Sequence, residues 1–147
     1  MSTLISPRLA TIVEALPLWE GVRILEIGCG TGIMARHMAD KLNSCFILGL
    51  DRSIRSLQKA ELLSARYLAE GRINYHHGAI EDFQWPAEAE KFDFAVAIRV
   101  GVLDGRHPKG TAKALANIAG ALKKGGKLHI DKGNPLIEID PFQSVVL

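Results

Sequence analysis

Cysteine is scarce in this sequence: only Cys29 and Cys45 occur in 147 residues. That count excludes a disulfide scaffold and any cysteine-rich zinc site. Neither sign of charge dominates. Eighteen Lys and Arg stand against sixteen Asp and Glu, a formal net charge of +2. The strongly basic footprint of a general nucleic-acid binder is therefore missing, and a nucleic-acid acceptor is not favoured. No apolar run approaches the roughly 20 residues that span a bilayer, so no membrane contact is expected. The first nine residues lack the basic-then-apolar layout of a secretory signal. Repeats, linkers and low-complexity segments are absent as well. No cluster of His, Asp and Glu has metal-ligand spacing, so no metal is expected. The default is a cytoplasmic, reducing compartment.

What is present suits a buried core. Hydrophobic residues make up 48% of the chain, and the length fits one domain of the usual ~100–150 residues. Val22–Ile27, Cys45–Leu50 and Phe92–Ile98 are short continuous apolar runs, as expected of parallel-sheet strands buried on both faces. Arg72–His77 and Lys127–Asp131 are weaker candidates of the same kind. Helical spacing lies between them: Leu9, Ile12 and Leu16; Met34, Met38 and Leu42; Ile54, Leu57, Ala60, Ser64 and Leu68; Leu115, Ile118 and Leu122. Such stripes are read as core. Pro17, Gly71 and Gly125-Gly126 punctuate the pattern where helices should stop, and Ser53 is a candidate N-cap. The order α-β-α-β-α-β-(short, irregular)-β-α-β predicts a Rossmann-like, doubly wound, mostly parallel sheet with helices on both faces.

The informative stretch is Ile24-Leu25-Glu26-Ile27-Gly28-Cys29-Gly30-Thr31-Gly32, which leaves a buried strand and opens a helix. Three glycines in five positions permit a tight turn and close approach of a ligand to the backbone. A crowded strand-to-helix corner is the alternative. Asp51 ends the next strand about twenty residues on, where a ribose-binding acid belongs. Its plainer reading is an acid favoured by a helix N-terminus. The dinucleotide fingerprint G-x-G-x-x-G needs its third glycine where this chain has Ile33. Gly-x-Gly-x-Gly preceded by Glu26 instead suits a zwitterionic methionine tail, which leaves NAD the minority reading.

From Gly21 to Asp131 the chain resembles the class I S-adenosylmethionine-dependent methyltransferases. Ile24–Gly32 resembles the family's first motif and Leu50-Asp51 its acidic second. His77-Gly78-Ala79-Ile80-Glu81-Asp82-Phe83, Phe92–Ala97 and Leu122–Leu128 follow in the family's order. The resemblance implies S-adenosyl-L-methionine as cofactor and S-adenosyl-L-homocysteine as product. Gly28, Gly30 and Gly32 would line the methionine and ribose portion, with backbone contacts from Cys29 and Thr31. Glu26 would orient the amino-acid end, through water or loop amides. Asp51 would hold the ribose hydroxyls, Arg52 one adenine face, and Ala79 and Ile80 the other. The family often has an aspartate where this chain has Ala79, so Glu81 or Asp82 would substitute. Arg99 and Val100 would sit near the sulfonium.

The implied reaction is in-line attack on the sulfonium methyl by an unidentified small-molecule or exposed protein acceptor. A base is needed only for a protonated nucleophile. Asp104 and His107 are the best-placed candidates, each with a solvated-loop reading beside it. His76 and His77 read as adenine-rim packing. Arg99, Arg106, His107 and Lys109 concentrate positive charge near the expected mouth, which suggests an acidic or carboxylate-bearing substrate. Lys123, Lys124 and Lys127 should face away from it. The alternatives are a non-catalytic or partner-dependent S-adenosylmethionine-binding module and, behind it, an NAD-dependent Rossmann oxidoreductase.

Residues 1–147 are read as one domain, with 1–20 an N-terminal helix or lid and 132–147 a short tail. The resemblance implies a core that continues past strand five with a helix and an antiparallel strand pair. Sixteen residues follow Asp131, enough for one short strand, Leu136–Asp140 or Ser144–Leu147. The family's last two strands should therefore be missing or shortened. The uncovered edge predicts either a homodimer or a chain cut from a longer one.

Overall fold

Val22–Ile27 forms β1, the strand from which the sheet grows in both directions. Val22, Ile24, Leu25 and Ile27 are all 3% exposed or less. Residues this apolar on both sides of a strand need cover on both faces. The computed structural model describes residues 5–144 and supplies that cover. β1 pairs with β2 (Cys45–Asp51) on one side and β4 (Phe92–Ala97) on the other, both parallel. β3 (Ile73–His77) extends the sheet beyond β2, and β5 (Leu122–Ile130) extends it beyond β4. The order is β3-β2-β1-β4-β5-β6, where β6 (Ile137–Ile139) runs antiparallel to β5.

Alternation along each strand divides the core in two. Val22, Ile24, Phe94 and Val96 face α1 (Pro7–Ala15) and α2 (Ile33–Asp40), against Ile12, Val13, Met34 and Met38. Leu25, Ile27, Ala95 and Ala97 face α6 (Thr111–Ala121), against Ala114, Leu115 and Ile118. α3 (Ile54–Leu63) and α4 (Ala65–Ala69) connect β2 to β3, and a single 3-10 turn, Ile80–Asp82, stands between β3 and β4. One helical turn, α5 (Gly101–Asp104), precedes α6, and α7 (Pro141–Ser144) closes the described chain.

Four sequence expectations shift. The stripe from Ile54 to Leu68 is not one apolar face. Ile54 is 53% exposed, and Ser64 is fully buried at the junction of α3 and α4. Hydrogen bonds from Ser64 N to the Ala60 carbonyl and from Leu68 N to the Ser64 carbonyl carry the helix across the junction, so it is a kink. β5 begins five residues before Lys127. Leu122 pairs with Phe92, and the next pair is Phe94 with Lys127, so Lys123–Gly126 bulge out opposite Asp93. Gly126 is required there because a Cβ would lie 2.9 Å from the Asp93 carbonyl oxygen. Asp104, given a solvated-loop reading from the sequence, is the last residue of the helical turn α5.

The fourth shift concerns the sheet edge. Residues 137–139 cover the edge of β5, within the first of the two expected tail segments. The other, Ser144–Leu147, lies outside the described residues apart from Ser144. The edge that motivated a homodimer is thus occupied by the chain itself, and the outer strand is only three residues long. α1, expected as a helix or lid, is packed into the core through Ile12 and Val13. Among the described residues no helix is long and apolar enough to cross a membrane.

Candidate functional site

The strand order reverses between β1 and β4, and open α/β sheets bind ligands outside the carboxyl ends of such strands. A cavity of about 310 Å³ opens at that place. Ile27 and Gly28 after β1, Leu50, Asp51 and Arg52 after β2, and Gly78, Ile80 and Glu81 after β3 line one side. Arg99, Val100, Gly101, Val102, His107 and Lys109, from the end of β4 to the start of α6, line the other.

The glycine loop is tied to β2 by its own amides. Gly28 N and Cys29 N both donate to the Leu50 carbonyl, at 2.7 and 3.1 Å. Gly30 N donates to Asp51 Oδ2 at 2.8 Å, and Ser53 N donates to Asp51 Oδ1 at 2.8 Å. Each Asp51 oxygen keeps a second acceptor site. The carboxylate is therefore fixed on the cavity wall and still able to accept hydrogen bonds. Gly28 has φ +74, and a Cβ there would lie 2.9 Å from Val100 Cγ2 across the cavity floor. A side chain would fill the cleft between β1 and β4.

Behind the loop lies a buried polar network. Arg36 Nη1 donates to the Thr31 carbonyl at 2.7 Å and to Ser64 Oγ at 2.9 Å. Ser64 Oγ and the Tyr75 hydroxyl are 2.8 Å apart. Gly32, in the left-handed region at φ +84, packs so closely that a Cβ would collide with the Tyr75 hydroxyl. Burial pushes the Tyr75 phenol up to about 12, so it remains a neutral hydroxyl. Tyr75→Phe should cost about 1–2 kcal/mol in a urea melt, because it strips one partner from buried Ser64. An unchanged midpoint and slope would remove this network from the support of the loop.

Glu26 is the unusual group. It is 4% exposed, and its Oε1 has no hydrogen-bond partner. Burial pushes its carboxyl up to about 8, the Asp51 charge adds to the rise, and Arg36 opposes it. A buried carboxylate oxygen left unpaired is costly and calls for an explanation. Cys29 is buried beside it, and burial raises its thiol far above the usual range, which fits packing and not nucleophilic chemistry.

The sequence-expected residues divide into three groups. Gly28, Asp51, Arg52, Ile80, Arg99, Val100 and His107 share the cavity lining. Glu26, near the end of β1, and the loop residues Cys29, Gly30, Thr31 and Gly32 stand outside the lining, and Ala79 lies between two lining residues. Of the backbone groups expected to contact the cofactor, Cys29 N is bound to the Leu50 carbonyl and the Thr31 carbonyl to Arg36, while the Thr31 N–H is bonded to neither. No loop amide reaches Glu26 Oε1. Asp104 is outside the lining. Arg106 Nε donates to its two oxygens at 3.0 and 2.9 Å and holds its carboxyl below the usual range. Asp104 and Arg106 are thus engaged with each other outside the lining, where the sequence reading had Asp104 as a candidate base and Arg106 in the cationic mouth. Of the two proposed stand-ins for an aspartate at Ala79, Glu81 lines the cavity, while exposed Asp82 faces Lys113 at 3.7 Å. Lys123 and Lys127 pair with Asp93 and Asp140, at the far ends of the strands as expected. Sequence reading missed the Arg36–Ser64–Tyr75 network and the role of Asp131, whose Oδ1 accepts from Arg99 N at 3.0 Å. A polar Ser in an otherwise apolar stripe was the available signal for the first.

Comparison with known proteins agrees with this geometry. A family model described as a methyltransferase domain matches residues 24–126. A sterol 24-C-methyltransferase of Clavispora lusitaniae is 30% identical over 108 residues, covering 73% of this chain and 27% of that protein. A ubiquinone biosynthesis O-methyltransferase of Aromatoleum aromaticum is 30% identical over 116 residues, covering 78% and 45%. Among solved structures, an S-adenosylmethionine-dependent methyltransferase of Thiobacillus denitrificans in complex with S-adenosyl-L-homocysteine superposes with a TM-score of 0.67 at 25% identity. That match covers 88% of this chain and 50% of the other. The chain thus spans less than half the length of these two curated relatives.

Proposed function

Since this chain belongs to the methyltransferase domain family, we propose that residues 1–147 act as a single S-adenosylmethionine-binding domain that transfers a methyl group to a small-molecule or exposed protein acceptor. Family membership sets the NAD reading aside. The observation that carries the proposal is Asp51, fixed by the Gly30 and Ser53 amides on the wall of the cavity at the β1/β4 reversal. Two further features fit the cofactor. Gly28 leaves a cleft that a Cβ would fill, and Glu26 offers a buried, unpartnered oxygen suited to an ammonium. Solved relatives carry S-adenosyl-L-homocysteine, as in the Thiobacillus denitrificans protein.

When bound, the cofactor supplies an electrophilic methyl on its sulfonium. Asp51 would accept from the ribose hydroxyls, Gly28 would clear space beside them, and Glu26 would be the counter-charge to the amino-acid end. Ile80 and Arg52 would flank the base, with Ala79 beside Ile80 and Glu81 as the acceptor for its amino group. Arg99, Val100 and His107 border the space in which the acceptor must align, and positioning is the main catalytic contribution such an enzyme makes. His107 is the group placed to take a proton when the attacking atom carries one. The relatives act on acceptors as different as a sterol carbon and a ubiquinone precursor oxygen, judging by their names, so the acceptor is sought by experiment. Incubation with methyl-labelled S-adenosylmethionine and an acceptor panel should give acceptor-dependent label transfer with matching S-adenosyl-L-homocysteine. Cofactor binding without transfer to any acceptor would favour a binding module.

A further inference from the structure

We infer that the acceptor carries an anionic group, a carboxylate or a phosphate, held by Arg99 and Lys109 at the β4 side of the cavity. This inference rests on the reading of the cavity as a methyltransferase site.

The first support is charge placement. Arg99, His107 and Lys109 all line the cavity on the segment between β4 and α6, and none of their side chains has a hydrogen-bonding or ionic partner among the described residues. Of the other cations at this end of the sheet, Arg106 is paired with Asp104, Arg8 with Asp131 and Lys113 with Asp82, while Arg52, after β2, also lines the cavity without a side-chain hydrogen bond or ion pair. Of the carboxylates in the lining, Asp51 follows β2 across the cavity, and Glu81 follows β3 with its side chain reaching toward Gly110 beside Lys109. Asp51 is already held by two amides. The acceptor wall is therefore basic, and a walled cleft strengthens charge interactions relative to open water.

The second support is the backbone at Arg99. Its φ of +59 is the one positive value at a non-glycine among the described residues, a conformation that costs an arginine energy. Both sides of the residue are fixed. Its N–H donates to Asp131 Oδ1 at 3.0 Å, and its carbonyl accepts from Arg106 Nη2 at 2.9 Å. Asp131, itself 7% exposed at the side chain, is in turn bound by Arg8 of α1 at 2.6 Å. Residues from α1, from β5's end and from the loop after α5 thus converge to hold one cationic residue at the cavity rim. The arginine so anchored at its backbone carries an unpaired guanidinium, whose planar fork matches the bidentate geometry of carboxylate and phosphate.

The test uses the chain saturated with S-adenosyl-L-homocysteine and three probes of similar shape: benzoate, phenyl phosphate and benzyl alcohol. Calorimetry should find at least one anion binding about tenfold or more tighter than the alcohol, with affinity falling as salt rises. The tighter anion then identifies the group. Arg99→Gln and Lys109→Gln should each lower anion affinity about five- to tenfold and leave the alcohol unchanged. Equal binding of anions and alcohol, or anion affinity unaffected in both variants, would overturn the inference while leaving cofactor binding standing. Failure of S-adenosyl-L-homocysteine itself to bind would overturn the parent reading, and this one with it.

Discussion

Asp51→Ala weakens binding of S-adenosyl-L-homocysteine by about 1.5–3 kcal/mol, roughly 10- to 150-fold. The lower bound is the loss of a charge-assisted hydrogen bond to the ribose. The upper part of the range comes from the loop. Asp51 accepts from Gly30 N and Ser53 N at once, so the substitution releases both the glycine turn and the start of α3. Asp51→Asn is no gentler in kind. Its amide has one acceptor oxygen for two N–H donors and turns a donor toward one of them. Both variants should bind weakly, and alanine should also lower the melting temperature of the ligand-free protein. Wild-type affinity in Asp51→Ala would remove the ribose assignment outright.

Glu26 should make stability and cofactor binding depend on pH in opposite ways. Its carboxyl titrates near 4.5 in the unfolded chain and is pushed up to about 8 in the fold, first by burial and then by the Asp51 charge. Between those values the folded protein holds a proton that the unfolded chain has released. Stability therefore falls as pH rises from about 4.5 through about 8. At about 1.4 kcal/mol per tenfold change in proton affinity, the fall is on the order of a few kcal/mol. Glu26→Gln removes it, so the variant's advantage in denaturant melts should be large at pH 8 and small at pH 5. An ammonium beside Glu26 favours the ionised form, and binding near pH 7 should release close to one proton. Calorimetry in buffers of different ionisation enthalpy measures that release directly. Heats independent of buffer, with no stability gain for Glu26→Gln at pH 8, would show that Glu26 is ionised in the free protein.

The fold was legible where hydrophobic pattern and backbone chemistry agree. β1 is buried along nearly its whole length, and its ends coincide with the apolar run Val22–Ile27 because glycines stand on both sides. Asp51 and the glycine loop were readable because their spacing is fixed by one β-α-β crossover. What was not legible depends on partners distant in sequence. Ser64 looks like a stripe position, yet its hydroxyl belongs to Arg36 and Tyr75, 28 and 11 residues away. The bulge in β5 follows from the register against β4, which no local pattern encodes. Asp104 and Arg106 looked equally available as loop residues, and their mutual ion pair outside the cavity lining is visible only in the fold. Likewise, Asp131 reads as a strand end until Arg8 and Arg99 are found on it.

The decisive titration is S-adenosyl-L-homocysteine against NAD on the unmodified chain by isothermal calorimetry. One saturable site for S-adenosyl-L-homocysteine, with no binding of NAD, is the expected result for a methyltransferase domain whose cavity lies between Gly28, Asp51 and Val100. Saturable binding of NAD, or no binding of S-adenosyl-L-homocysteine, would contradict it.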